Sequence, residues 1–346
     1  MERLIERYKN YRNFKNIANV FEGGYAFVGV GSHSAQNLYP VIDYLHVPLS
    51  YICCRDARKI PFIEKKYRGV KGTTELDEVL ADNSVRGVFV SVGPQAHFNI
   101  AKRVMSAGKS LFIEKPPCQS LSQLDELIKA EQALPGIVAL VGLQKRYSPC
   151  VMALAKALKR DAPISYRLVY ATGLYPEGDP VIELFIHPLD MVCFLFGRPQ
   201  VKGFTRIVKS GGGVTVQMLL EHHGVSGVVE LSTNYSWRHP VELLSVNTSE
   251  GVYKMDGLDS LSFSRHGGAF MNMPLEKVFG GAVVEKYLYL RDRFNPVLSS
   301  NQVYSNGFYD EIKTFVTLVE KHKGKNLSPF SSLRDTYRLL ENVRRG

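Results

Sequence analysis

The feature that most restricts what this chain can fold into is a short apolar run, Tyr25-Ala-Phe-Val-Gly-Val-Gly31, that ends on two glycines and leads into Ser32-His33-Ser34. A run of β-formers closed by glycine reads as a buried strand entering a tight turn, and the pattern over residues 34–45 predicts a helix after it. In the spacing G-x-G-x-x-S, Gly29 permits the turn and Gly31 lets the backbone approach a pyrophosphate. Ser34 occupies the third position, which must be small for helix and strand to pack and is more often Gly or Ala. The first N–H groups of the helix would face the anion. A glycine turn alone can be only a turn; at the start of a strand-turn-helix unit it reads as a dinucleotide site, with Ser32 and His33 among the contacts.

Further strands are predicted at 49–54, 87–92, 110–114 and 137–141, and helices through Lys66, at 73–80 from a capping-box-like start, at 97–107 ended by Gly108, and at 121–132. Strands alternating with helices imply βαβ units and a parallel sheet covered on both faces. After about residue 147 the rhythm changes to one helix, 151–159, and alternating strands at 164–171, 201–208, 214–220, 225–234, 241–248 and 251–255. Two helices, 307–321 and 332–344, end the pattern. At roughly 150 residues per domain, 346 residues suit two. The expected fold class is α/β. Residues 24–145 form a Rossmann-type doubly wound parallel sheet, and 146–346 a substrate-binding and oligomerisation α+β domain with an open, mainly antiparallel sheet. Residues 1–23 form a helical extension whose Leu4, Ile5, Tyr8 and Tyr11 sit at helical spacing, to dock on the body or a partner.

Several classes are excluded. The longest apolar stretch, residues 136–143, falls short of the ~18–20 residues that cross a bilayer, so the protein is not expected in a membrane. Residues 1–16 carry Glu2 and Glu6 and no apolar core, unlike a secretory or transit segment. The five cysteines form no CxxC, which predicts reduced thiols in a cytoplasmic protein, with no metal and no disulfide framework. The formal charge of +10 has no basic tail or run and points weakly to anionic ligands. No nucleic-acid-binding motif accompanies it.

Cofactor choice is read at the end of the second strand, where an acid would accept the ribose hydroxyls of NAD. The stretch is Cys53-Cys54-Arg55-Asp56-Ala-Arg58-Lys59. Aligning Cys54 with the acid places Arg55, with Arg58 nearby, for a 2′-phosphate and favours NADP over NAD. A shift of two residues would put Asp56 there and reverse the choice, and a solvated basic helix start is the plain alternative.

The most specific pattern lies at 88–126: a strand, then Gly93-Pro94-Gln-Ala-His97, a helix, and Ser110-Leu-Phe-Ile-Glu114-Lys115-Pro116-Pro117. A glutamate and a lysine at a strand's carboxyl end lie where open α/β sheets take ligands. Arg146-Tyr-Ser-Pro149 follows, and then Glu183-Leu-Phe-Ile-His187-Pro-Leu-Asp190. On one helix Glu183 and His187 would share a face, where a carboxylate can orient an imidazole and raise its basicity. From about Tyr25 to its end the chain resembles the Gfo/Idh/MocA oxidoreductase family, which includes glucose-fructose oxidoreductase and inositol 2-dehydrogenase. It departs from the family in Glu183, usually Asp, and Phe185, often Gly.

The resemblance implies an NAD(P)-dependent oxidoreductase in which Lys115 contacts the reacting hydroxyl and His187 is the acid/base group, with Glu183 beside it. Loss of hydride from a carbinol carbon requires loss of the hydroxyl proton, and an ammonium stabilises the developing alkoxide. Glu114 would be a cofactor or positioning contact, Pro116 a cis-type bend, and Pro94 and His97 contacts near the nicotinamide. Alone, Lys115 would be a solvated loop lysine and His187 a helix-start residue; their joint spacing supports the functional reading. The implied substrate is a sugar, sugar nucleotide or cyclic polyol, with Arg146, Tyr147, Tyr175, Asp190, Tyr235, Trp237 and Arg238 as candidate contacts. Asp190 could equally pair with a neighbour, and residues 234–239 could be a strand end in an interface. A homodimer or homotetramer is expected. The competing class is a non-catalytic NAD(P)-binding sensor or regulatory subunit; retention of Lys115 and His187 argues against it and the departures at 183 and 185 argue for it.

Overall fold

The computed structural model describes residues 2–17, 20–271, 273–275, 277, 284–292 and 301–345. The chain divides into two compact units. The first comprises Met1–Pro117, Leu127–Gly142 and Glu311–Asn326, and the second Cys118–Glu126, Leu143–Asp310 and Leu327–Gly346.

In the first unit, strands β1 (Gly24–Val28), β2 (Leu49–Cys53), β3 (Lys71–Thr73), β4 (Val85–Val90), β5 (Ser110–Glu114) and β6 (Ala139–Gly142) form a sheet in the order β3-β2-β1-β4-β5-β6. All its pairings are parallel, so this is a Rossmann-type doubly wound sheet whose direction of winding reverses between β1 and β4. Its strands are nearly continuous apolar runs because both faces are covered. Phe27, Phe89 and Phe112 on three neighbouring strands are fully buried. Phe315, from the helix Phe308–Lys321, packs edge-on against Phe89 with ring centroids 5.1 Å apart. The Glu320 carboxylate of that helix accepts hydrogen bonds from the Glu22 and Gly23 N–H groups and the Tyr25 hydroxyl, tying down the entry to β1.

Two local expectations change. Residues 71–73 are a strand, and the next helix is Leu76–Ala81. Thr73 Oγ1 accepts from the Glu75 N–H only two residues on and donates to Glu78, so the hydroxyl closes a turn before the helix begins. The N-terminal helix Glu2–Ile17 forms, but Leu4, Ile5, Tyr8 and Tyr11 are exposed and do not pack on the body.

In the second unit, β7 (Pro163–Ala171), β8 (Gln200–Val208), β9 (Val214–His222), β10 (Val225–Ser232), β11 (Val241–Thr248), β12 (Gly251–Asp256), β13 (Ser260–Arg265) and β16 (Glu285–Leu290) form a sheet in the order β16-β13-β12-β11-β7-β10-β9-β8. Its pairings are antiparallel except β10 with β7. A small hairpin, β14 (Ala269–Phe270) with β15 (Met273–Pro274), lies between β13 and β16 in the chain. Alternation along β9 buries Val214, Val216, Met218 and Leu220 and turns Gln217, Leu219 and Glu221 outward, so one face is covered and the other open. The helix Ile186–Phe196 lies on the covered face, where Phe196 stacks on Tyr166 with centroids 4.2 Å apart. His222 Nε2 lies 2.7 Å from the Tyr166 hydroxyl, and its Nδ1 lies 2.8 Å from the Gly197 carbonyl.

Candidate functional site

The glycine turn follows β1. Gly29 has φ 118°, and a Cβ there would lie 1.9 Å from the Ser91 carbonyl oxygen, so no other residue fits. A Cβ at Gly31 would meet nothing within 4 Å, which leaves space beside the backbone for a close-lying anion. Ser34 is buried, and its Oγ lies 3.0 Å from both the Gly31 N–H and the Gly31 carbonyl. Its hydroxyl therefore stitches the turn that the more usual Gly or Ala would only accommodate. Ser32 and His33 are exposed, and helical turns run from residue 32 to 44 through a π-helical stretch, Ser34–Leu38. These residues fit a dinucleotide pyrophosphate.

At the end of β2, Cys54 is buried, its N–H donates to Thr73 and its thiol to the Asp56 carbonyl. The Asp56 carboxylate accepts from the Arg58 N–H at 3.1 Å and takes the Arg58 guanidinium at 2.9 Å through each of two nitrogens. These bonds hold its carboxyl below the usual range. Arg55 is exposed. Lys59, singled out only as part of a basic stretch in the sequence, reaches the Val30 carbonyl of the glycine turn at 3.4 Å.

At the end of β5 stand Glu114 and Lys115, followed by Pro116 after a cis peptide bond. Glu114 is buried with Oε1 3.1 Å from His33 Nε2, and its Oε2 accepts from the Lys115 N–H at 3.2 Å. Burial pushes the carboxyl up, but His33, Lys115 and His97 outweigh it and hold Glu114 below the ordinary range. Gly142 at the end of β6 gives the carboxylate room, since a Cβ there would lie 3.1 Å from it. Pro94 opens the helix Pro94–Ser106. His97, expected as a nicotinamide contact, is 1% exposed and both of its ring nitrogens have partners. The Pro116 carbonyl, 2.7 Å from Nδ1, can only accept, so Nδ1 donates to it and Nε2 accepts the Val92 N–H. Burial pulls its pKa down, and the neutral ring positions the turn that carries Lys115.

In the second unit, three expected substrate contacts are buried and bonded to neighbouring groups. Arg146 is 3% exposed, donates to both oxygens of Asp190 at 2.8 and 2.6 Å, and also bonds the Leu327 carbonyl and Ser332. Asp190 also accepts from Thr336. The buried Tyr147 hydroxyl lies 3.1 Å from Ser328 Oγ and accepts from the Leu327 N–H.

Glu183 and His187 do not share one helix. Pro180–Glu183 ends, residues 184–185 turn, and Ile186–Phe196 begins. Pro188 has no N–H to donate to the Leu184 carbonyl, which the His187 N–H takes instead. Glu183 accepts from the Tyr175 hydroxyl at 2.9 Å and from the Asp179 N–H at 3.3 Å. Tyr175 is thus coupled to Glu183, a pairing that sequence spacing did not reveal. His187 is half-buried in the first turn of the second helix. Tyr235, Trp237 and Arg238 are exposed between β10 and β11, with the Trp237 indole donating to the Leu174 carbonyl. The Lys145 ammonium pairs with Glu242 and lies 5.1 Å from the centre of the Tyr170 ring. The only hint in the sequence was that Lys145 precedes Arg146. Among the described residues, no cluster of three or more His, Cys, Asp or Glu could hold a metal, and no helix is long and apolar enough to cross a membrane.

A doubly wound sheet with this turn on β1 and a Glu-Lys-Pro turn on β5 defines a dinucleotide-binding unit of the oxidoreductase kind. Residues 24–141 match the model of an oxidoreductase family with an NAD-binding Rossmann fold, Gfo/Idh/MocA. Over those residues the chain is similar to the Gfo/Idh/MocA family. It is 30% identical over 194 residues to YhhX, an uncharacterised oxidoreductase of Escherichia coli (strain K12), a match covering 51% of this chain and 54% of YhhX. The chain thus spans about half the length of the curated relatives it matches. A dehydrogenase from Chromobacterium violaceum shares the fold with a TM-score of 0.78 and 17% identity over 94% of this chain and 95% of that one. UDP-N-acetylglucosamine 3-dehydrogenase GnnA from Acidithiobacillus ferrooxidans does so with a TM-score of 0.74 and 19% identity, over 94% and 98%.

Proposed function

We propose that this chain is an NAD(P)-dependent oxidoreductase that moves a hydride between nicotinamide and a hydroxyl-bearing or keto carbon of a sugar, sugar nucleotide or cyclic polyol. The observation that carries the reading is the free space beside Gly31, in the turn after β1, in the same sheet whose strand β5 leads into the Glu114-Lys115-Pro116 turn. The first unit would hold the dinucleotide through Gly29, Gly31, Ser32, His33 and Ser34; a bound nicotinamide would supply the hydride acceptor or donor. Lys115, its turn anchored by His97, stabilises the oxyanion that forms as the substrate hydroxyl loses its proton. His187 in the second unit takes or returns that proton. With Glu183 engaged by Tyr175 and the Asp179 N–H, its part is to order the loop before the His187 helix. The likeness in fold to a nucleotide-sugar dehydrogenase and the basic charge support an anionic sugar.

NADP is the favoured cofactor. Asp56 is taken up by Arg58, and Arg55, exposed beside it, together with Lys59 at the glycine turn, offers cations to a 2′-phosphate. A charged hydrogen bond contributes about 1.5–3 kcal/mol, so Arg55→Ala is expected to weaken NADPH binding by roughly tenfold or more and leave NADH binding unchanged. Equal losses for both cofactors, read by nicotinamide fluorescence, would remove Arg55 from 2′-phosphate recognition.

A further inference from the structure

The His33–Glu114 pair is not needed by the fingerprint that predicts the turn, which asks for no particular side chain at position 33. It places a buried carboxylate at the phosphate-binding end of the sheet, where an unpartnered negative charge would repel a pyrophosphate. His33 Nε2 stands 3.1 Å from Glu114 Oε1, with the imidazole 45% exposed and the carboxylate side chain 6% exposed. One edge of the pair is therefore sealed in the sheet and the other opens at the glycine turn. The His33 Nδ1 side faces its own helix, where the Asn37 amide lies 3.3 Å away.

We propose that His33 is a proton-linked latch of the phosphate-binding turn: with its imidazole protonated against Glu114, the turn takes up a dinucleotide more tightly than with the imidazole neutral. The proposal rests on the dinucleotide reading given above. A protonated His33 compensates Glu114 and presents a cation to the pyrophosphate; a neutral one removes that compensation beside an incoming anion.

Burial pulls the imidazole down, but the close approach of the Glu114 carboxylate more than offsets it, while Lys115 opposes, and the net direction is upward from the ordinary value. The other groups facing the pair are Lys115 on the same turn and His97 from the helix Pro94–Ser106. Burial pulls the His97 pKa down, so that ring is neutral above pH 6.5. A raised folded-state value that an anionic ligand raises further makes affinity greatest at low pH. Affinity then falls as pH rises through the value of the free protein, and levels above that of the complex.

The test is calorimetric titration with NADH, whose pyrophosphate does not titrate in this range, from pH 6 to 9. An opposite charge at close range shifts a pKa by about one unit or more, so Kd is expected to rise by about tenfold across that span. His33→Gln is expected to bind at pH 6 as weakly as the unaltered protein does at pH 9, with a flat profile. In the free protein, the His33 ring proton followed by NMR is expected to titrate above 6.5, and Glu114→Gln to bring that midpoint down. A flat profile for the unaltered protein, or a slope that survives in His33→Gln, would overturn the latch while leaving dinucleotide binding standing. Absence of NADH binding at every pH would remove both.

Discussion

Lys115→Ala is expected to lower kcat by about 10²–10³-fold, the usual cost of deleting one group that stabilises a developing oxyanion, while binding of NADPH and NADH stays close to that of the unaltered protein. The separation arises because the ammonium acts on the substrate oxygen, whereas the dinucleotide is held by the Gly29–Ser34 turn. The turn bearing Lys115 would survive the change, since its fixed points are the His97–Pro116 bond and the Lys115 N–H bond to Glu114, neither of which uses the Lys115 side chain. Steady-state kinetics on any sugar or polyol that the protein turns over, paired with a fluorescence titration of the variant, reads both quantities. Unaltered turnover would remove Lys115 from the chemistry. A protein that binds cofactor and turns over none of a panel of sugars, nucleotide sugars and polyols would favour the sensor reading.

The second large effect falls on stability. Asp190→Ala would strand the Arg146 guanidinium at 3% exposure, its two carboxylate bonds gone and only the Leu327 carbonyl and Ser332 remaining. Removing one partner of a buried ion pair costs about 3–5 kcal/mol. The unfolding free energy of the second unit read from urea denaturation should therefore fall by an amount of that order, seen as a lowered midpoint with little change in slope. The guanidinium would not escape by losing its proton, because arginine is too basic to be deprotonated in a protein. A loss below about 1 kcal/mol would mean that water reaches the site and that the pair is not framework.

These two residues show where the sequence was informative and where it was silent. The strands β1 and β5, the helix Leu121–Gln132 and the strand β11 were legible because each is a contiguous run with its own period and its own stop. The three-residue β3 carries no period, and its Thr73 looked like a helix cap because the hydroxyl does accept a backbone N–H, but only two residues on, in a turn before the helix. Glu311–Asn326 grouping with the first unit is a long-range fact that no local pattern encodes. Arg146 and Asp190 lie 44 apart in sequence; their chemistry alone suits a substrate contact as well as a buried pair, and only burial separates the two. The break between Glu183 and His187 was readable in principle, since Pro188 forbids a continuous ladder through Leu184, yet the four-residue spacing drew attention first. At the glycine turn the motif itself was legible, whereas the His33–Glu114 pair joins the first strand's turn to the fifth strand's end and becomes visible only once the sheet is wound.

The central claim is that the turn after β1 holds a nicotinamide dinucleotide. Its most direct test is titration of the purified protein with NADPH and with NADH, following nicotinamide fluorescence, with any copurified nucleotide extracted and identified. The account predicts saturable binding of both, tighter for NADPH through Arg55 and Lys59. If neither binds, the glycine turn is only a turn, and the oxidoreductase reading falls with it.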